Sequence, residues 1–264
     1  LLRKNRKSIA VLDGSESDED LNNLAHDVFK HYGLGCRNVS FLYLPKNTDI
    51  VRILDHFMTY KELFDVRGKT ALVTGARKGI GFAIASALAE HGANLIVVSS
   101  QQTDNDELSK IAAKSGVTYT TFACDFRSRQ DTLDLIEKIK EIKIDILINN
   151  AGLANRAEAL DHNDDLWDQT IEIDLTAPFI LSREIGKGMA QRGYGKIIFI
   201  ASMWTFLGGK NVISYTAAKT ALAGLTRGLS NELLPMGITV NAIAPGFIET
   251  DITQAIRKDS ERTT

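Results

Sequence analysis

From Lys69 onward, short β-branched runs alternate with longer stretches of helical periodicity. That alternation is the signature of a parallel sheet covered on both faces by helices. The predicted strands are TALVT, NLIVV, TYTTFA, IDILIN, KIIFIA and ITVNAIA. Between them Ile80, Ile84, Ala87 and Leu88 fall on one helical face, and the stretches Asp165 to Gln191 and Ser214 to Leu234 read the same way. Six strands and five helices make one doubly wound α/β unit, expected over residues 63–264.

Residues 1–62 form a separate problem. They hold a strand (SIAVLD), an amphipathic helix carrying Leu21, Leu24, Ala25, Val28 and Phe29, and a second strand (NVSFLYL), which together make one βαβ appendage. Its Gly14-Ser15 turn leads into an acidic helix start (Glu16, Asp18, Glu19, Asp20), where carboxylates suit the helix dipole but repel a phosphate. A packing arm is therefore expected rather than a phosphate or flavin site, with Pro45 to Asp49 as an internal linker.

The net charge of −2 and the absence of a Lys/Arg block argue against nucleic acid or an anionic membrane as partner. Cys36 and Cys124 lack metal-ligand spacing, and the five histidines make no HxxxH or HExxH pair, so a metal-free, reduced, cytoplasmic protein is expected. No apolar run reaches the roughly 18 to 20 residues of a membrane span, and the first residues lack the apolar stretch of a signal peptide. A small-molecule ligand is the remaining class of partner.

Thr74-Gly75-Ala76-Arg77-Lys78-Gly79-Ile80-Gly81 follows a predicted strand and opens a predicted helix, so its glycines lie where backbone turns tightly and can approach a pyrophosphate. Asp125-Phe126 ends the third strand and Asn149-Asn150-Ala151-Gly152 the fourth, both at carboxyl ends of parallel strands, where open α/β sheets bind ligands. Asp125 is placed to bond an adenine amino group, and Ala151 and Gly152 offer a surface without bulk for the adenine ribose; turn chemistry also accounts for NNAG. After the second strand, where an acid often holds a ribose diol, stand Ser99, Ser100 and Gln101. With Arg77 and Lys78 in the glycine loop NADP is allowed, the serines equally suit NAD, and the two cations also read as solvated charges.

Ser202 follows the fifth strand, and Tyr215 and Lys219 stand one turn apart at the start of the next helix. Moving hydride to or from a nicotinamide requires a group that gives or takes a hydroxyl proton, and a phenol needs help to do this near neutrality. The Lys219 ammonium supplies that help and can also hold ribose hydroxyls, while Ser202 donates to the substrate oxygen.

TGARKGIG, NNAG, Ser202 with YTAAK, and Pro245-Gly246 together resemble the short-chain dehydrogenase/reductase family, whose fold is the Rossmann sheet, over about Phe64 to the C-terminus. The resemblance implies an oxidoreductase acting on an alcohol or ketone, with Pro245, Gly246, Ile248 and Thr250 on the nicotinamide side. It also implies a homo-oligomer, dimer or tetramer. The stretches NNAGLANRAEAL, IASMWTFLGGKNVISYTAAK and NAIAPGFIETDITQAIRKD resemble the 2-deoxy-D-gluconate 3-dehydrogenase group more narrowly. Arg156 would then clamp a sugar-acid carboxylate and Trp204 line the pocket, with a solvent-facing loop charge and a packing aromatic as the plainer alternatives. The other functional readings are a 3-oxoacyl-carrier-protein reductase and a catalytically silent dinucleotide binder.

Three departures from the family stand out. Asp174 occupies a position usually held by Asn, thought to hold a water in a proton relay; a carboxylate there opposes phenolate formation at Tyr215. The chain is short after PGFIETD, which implies a truncated C-terminus, an open sheet edge and a partial substrate pocket. The N-terminal appendage is expected to cover that edge or an oligomer surface.

Overall fold

The computed structural model describes residues 8–29, 39–43, 49–60, 65–101, 106–246 and 248. The chain divides into two compact units, 1–65 and 66–264.

In the first unit β1 (Ser8–Val11) and β2 (Val39–Tyr43) pair in parallel through α1 (Asp18–Phe29), which is the expected βαβ connection. Leu12, Leu21 and Ile53 form a small buried core. A second helix, α2 (Ile50–Phe57), had no counterpart in the sequence reading. Asp49, expected as the end of a linker, caps it by accepting the Val51 amide at 3.0 Å; the linker's other residues, 45–48, lie outside the described residues. Arg52 of α2 meets Asp18 of α1 at 2.8 Å. In the Gly14 turn the amides of Asp13 and Gly14 are taken by the Glu16 carboxylate at 2.7 and 3.1 Å, so the chain's own acid sits where a phosphate would be needed.

The second unit is a six-stranded parallel sheet: β3 (Thr70–Thr74), β4 (Asn94–Ser99), β5 (Tyr119–Ala123), β6 (Ile146–Asn149), β7 (Gly195–Ile200) and β8 (Ile238–Ile243), in the order β5-β4-β3-β6-β7-β8. Successive side chains alternate faces, and two cores result. On one face Ala71, Val73, Leu95 and Val97 pack with Ala85 and Ala89 of α3 (Gly79–Glu90) and Leu108 of α4 (Asp106–Ser115). On the other, Leu72, Leu147, Ile197 and Phe199 pack with Leu135 of α5 (Arg129–Ile139), Leu181 of α7 (Ala177–Arg192) and Leu222 of α8 (Ile213–Leu233). Strand order reverses between β3 and β6, which pair directly in the register Ala71↔Ile146 to Val73↔Ile148. That reversal opens a crevice at the carboxyl ends of the two strands.

The expected single helix over Asp165 to Gln191 is broken. It runs as α6 (Asp164–Ile171), a π turn (Glu172–Thr176) and α7. Pro178 explains the break: it has no N–H for the Asp174 carbonyl four residues back, and its ring would collide with that carbonyl in a regular helix. The wider turn carries Asp174 to a fully buried position.

Candidate active site

At the strand reversal the glycine loop and the NNAG turn hold each other. Thr74 Oγ1 accepts the amides of Asn150 and Ala151 at 3.0 and 2.9 Å, while the Asn150 side-chain amide donates to the carbonyls of Thr74 and Gly75 at 2.9 and 3.1 Å. Gly75 has φ +67°, and a Cβ there would lie 2.9 Å from Ala151 Cα. At Gly81 a Cβ would press into the Asn150 amide and come within 2.5 Å of the Gly75 carbonyl oxygen. Lys78, the residue before α3, makes no side-chain cap bond, so the first amides of α3 face the cleft beside it without a side-chain cap. Glycines where no Cβ fits and open helix amides are the surroundings a dinucleotide pyrophosphate requires.

The cleft above this loop, about 710 Å³, brings most of the expected site residues together. Gly75, Arg77, Lys78, Gly79, Ile80 and Gly81 line one part, with Ser99, Ser100 and Asp125 beside them. Asn150, Ala151 and Gly152 form the floor; Ser202, Trp204, Tyr215, Lys219, Arg156, Pro245, Gly246 and Ile248 line the rest. Phe126 borders the cleft but is a buried core residue. Thr250 lies outside the described residues.

Around the reacting centre, Ser202 begins a short 3-10 turn (Met203–Thr205) and its Oγ accepts the Trp204 amide at 3.3 Å, which leaves its O–H to donate. Thr205 Oγ1 donates to the Lys219 carbonyl at 3.0 Å, tying this turn to α8. Tyr215 and Lys219 share a face of α8, with Nζ 5.3 Å from the phenol ring centre. The Lys219 ammonium donates to the Ile200 carbonyl at 3.0 Å and pairs with Asp174 Oδ1 at 2.9 Å.

The sequence profile of the short chain dehydrogenases matches residues 69–261. The chain belongs to this family. Among curated relatives, it is 50% identical over 204 residues to the 2-dehydro-3-deoxy-D-gluconate 5-dehydrogenase of Pseudoalteromonas atlantica, covering 76% of this chain and 80% of that protein. It is 39% identical to the 3-oxoacyl-acyl-carrier-protein reductase of Rickettsia conorii over 74% of this chain and 79% of that one. Among solved structures, a putative 2-deoxy-D-gluconate 3-dehydrogenase from Agrobacterium tumefaciens with bound NADP superposes with a TM-score of 0.70 at 41% identity, covering 76% and 80% of the two chains. The protein is thus an oxidoreductase of the short-chain dehydrogenase family that uses a nicotinamide dinucleotide.

Asp174, where the resemblance leads one to expect Asn, is held by both of its oxygens. Its second oxygen, Oδ2, accepts the Leu153 amide at 3.0 Å, and Gly152 passes so near that a Cβ there would lie 2.7 Å from Oδ1. The sequence placed the negative charge of Asp174 near Lys219, and in the structure the two side chains pair directly at 2.9 Å. Burial pushes the Asp174 carboxyl up, against the opposing pull of the Lys219 ammonium and the Leu153 amide. Burial alone would pull Lys219 down, but the Asp174 carboxylate at 2.9 Å and the Tyr215 phenol hold it above its usual range.

Asp125 is also paired in the structure. Its carboxylate, assigned to an adenine amino group, is gripped by Arg127 through Nε at 2.9 and 3.0 Å and Nη2 at 2.6 Å. That hydrogen bonding holds Asp125 below the usual carboxylate range. Arg127 escaped the sequence reading although it stands two residues along the chain. Thr74 escaped as well, and its signal was a hydroxyl immediately before the glycine loop. Arg77 reaches Gln101 Oε1 at 3.5 Å, bringing the loop cation to the end of β4, while Ser99 Oγ donates to the Gln101 carbonyl at 2.7 Å. Among the described residues no group of three or more His, Cys, Asp or Glu side chains is arranged to hold a metal ion, and no helix is long and apolar enough to cross a membrane.

Proposed function

We propose that the chain interconverts a secondary alcohol and a ketone on a sugar acid of the deoxygluconate class, with NADP as the dinucleotide. The observation that carries this reading is a cationic side chain, Arg156, lining the same cleft as Ser202, Tyr215 and Lys219. A guanidinium forks onto a carboxylate through two parallel hydrogen bonds and so fixes which carbon of a sugar acid meets the phenol. Support also comes from relatives named 2-dehydro-3-deoxy-D-gluconate 5-dehydrogenase and from a gluconate 5-dehydrogenase of Burkholderia cenocepacia solved with NADP and tartrate, a small dicarboxylate (30% identity, TM-score 0.70, covering 75% and 79% of the two chains).

When bound, the nicotinamide supplies or accepts the hydride. Tyr215 gives its phenolic proton to the carbonyl oxygen as the ketone is reduced, and takes it back as the alcohol is oxidised. Ser202 donates to the same oxygen, and Lys219, beside the phenol, holds a ribose hydroxyl. Asn150, Ala151 and Gly152 shape the dinucleotide floor, and Pro245, Gly246 and Ile248 close its nicotinamide side. NADP is favoured because Ser99, Ser100 and Gln101 at the end of β4 include no acid to repel a 2′-phosphate, while Arg77 lies against Gln101 there. A cytoplasmic homo-oligomer, dimer or tetramer, completes the reading; half-exposed Trp167 of α6 and Phe179 of α7 support it as apolar surface, and sedimentation tests it.

The test is the change in reduced-nicotinamide absorbance with NADP and NAD in turn. Substrates are 2-deoxy-D-gluconate, D-gluconate, 2-dehydro-3-deoxy-D-gluconate and a 3-oxoacyl thioester. Sugar-acid turnover that Tyr215→Phe abolishes is expected, and Arg156→Ala should raise KM about 10- to 100-fold, the worth of a charge-assisted bond, with less effect on kcat. Turnover of the thioester alone, or an unchanged KM in Arg156→Ala, refutes the sugar-acid assignment.

A further inference from the structure

Asp174 and Lys219 form a sealed pair of opposite charges one side chain away from the phenol. Asp174 is fully buried and Lys219 is 4% exposed. The carboxylate is fixed from three sides: the Lys219 ammonium at 2.9 Å, the Leu153 amide at 3.0 Å, and the bare backbone of Gly152. The ammonium is fixed by Asp174 and by the Ile200 carbonyl at 3.0 Å, with the Tyr215 ring centre 5.3 Å away.

We infer that Asp174 is a positioning residue that acts through Lys219 to bias this site toward carbonyl reduction, by cancelling the ammonium charge that would otherwise stabilise a Tyr215 phenolate. The inference rests on Tyr215 being the proton donor, as proposed above. A lone ammonium beside a phenol favours the phenolate, the form that takes a proton from an alcohol. An ammonium already neutralised at 2.9 Å presents the phenol with a dipole instead of a charge. Because Asp174 and Lys219 are both buried, water screens their charges little. Reduction needs the phenol, which gives its proton to the substrate oxygen as hydride reaches the carbonyl carbon. Oxidation needs the phenolate, which accepts the hydroxyl proton as hydride leaves. Removing the carboxylate charge should therefore help oxidation specifically.

The charged and titratable groups acting on this pair come from each packed element. Within the π turn, Glu172 is engaged by Arg129 of α5 at 2.9 Å, toward the surface. From α8 come Lys219 and Tyr215; from the loop after β6 comes the Leu153 amide, with Arg156 further along it lining the same cleft. The raised position of Lys219 agrees with the carboxylate acting on it.

Asp174→Asn, with Asp174→Ser as a second neutral replacement should the first fail to fold, tests this in the whole chain. The first readout needs no turnover: the ultraviolet phenolate band of the ligand-free protein is followed as pH rises, each background being corrected with its own Tyr215→Phe partner. The Tyr215 signal is expected at least about one pH unit lower in the neutral variant, about a tenfold larger phenolate fraction at fixed pH. The second readout is the pH–rate profile, in which the oxidative limb should move to lower pH by a similar amount while reduction near neutrality gains nothing. A midpoint that stays put or rises in a folded variant, with Tyr215→Phe still inactive, overturns the inference and leaves the Tyr215 assignment standing. If Tyr215→Phe keeps full turnover, the assignment itself falls and the inference with it.

Discussion

Replacing Lys219 by Met should cost this protein more stability than its removal of one side-chain hydrogen bond suggests, and the loss should depend on pH. Met keeps most of the volume but deletes the ammonium, so the Ile200 carbonyl loses a donor and Asp174 is left fully buried without a counter-charge. Breaking a buried pair by removing one partner costs about 3–5 kcal/mol, chiefly the desolvation of the charge left behind. The carboxyl has an escape: it takes up a proton. Burial already holds Asp174 above the ordinary carboxylate range, and losing the ammonium removes the opposing pull. Its folded form therefore binds a proton more readily than its unfolded form, and stability falls as pH rises through that window. Below about pH 4 the penalty vanishes, and above the variant's own titration it is complete, each unit of difference being worth about 1.4 kcal/mol. Urea unfolding of parent and Lys219→Met at pH 8 and pH 5 measures this; the deficit at pH 5 should be smaller by at least about 1 kcal/mol. In the double variant with Asp174→Asn the deficit at pH 8 should shrink by more than half. A deficit equal at both pH values and untouched by the second substitution would refute the electrostatic account and leave only a packing defect.

Gly81→Ala should abolish dinucleotide binding and destabilise the fold by about 1–3 kcal/mol, because the new methyl meets the Asn150 amide and the Gly75 carbonyl, both backbone-anchored; fluorescence titration with NADPH and thermal melting read the two effects. Cys124, 3% exposed, has its thiol pushed up to about 12 by burial, so at pH 8 only about one molecule in ten thousand carries the thiolate. In a Cys36→Ser background, a disulfide reagent should leave native protein unlabelled over minutes and label it fully in urea. On the alkaline side, Lys219 titrates higher folded than unfolded, so its share of stability is present below about pH 10.5 and is lost as pH rises through its folded value. Melting of Asp174→Asn should fall at lower alkaline pH than that of the parent.

What could be read in the chain and what could not divide along a physical line. The six strands were legible because each is a short β-branched or apolar run bounded by turn residues, and in β3, β4 and β6 burial on both faces leaves such runs few alternatives. The glycine loop was legible for a steric reason: at Gly75 the backbone is left-handed and at Gly81 no Cβ fits, so the requirement is written into residue type. The interruption of the helix over Asp164–Arg192 was hidden because its apolar spacing continues through the π turn; only Pro178, acting on a carbonyl four residues back, marks it. The eight-residue α2 was hidden because it is too short to declare a period. The pair at the heart of the site lay deeper still. Asp174 and Lys219 stand on different elements and meet because the π turn and α8 pack together, so nothing near either residue announces the other. Sequence alone showed a carboxylate where an amide is usual and suggested the direction of its effect on the phenol. That it acts through direct contact with the lysine, sealed from water, follows only from packing, and it is this seal that turns one changed side-chain atom into a bias on the direction of the reaction.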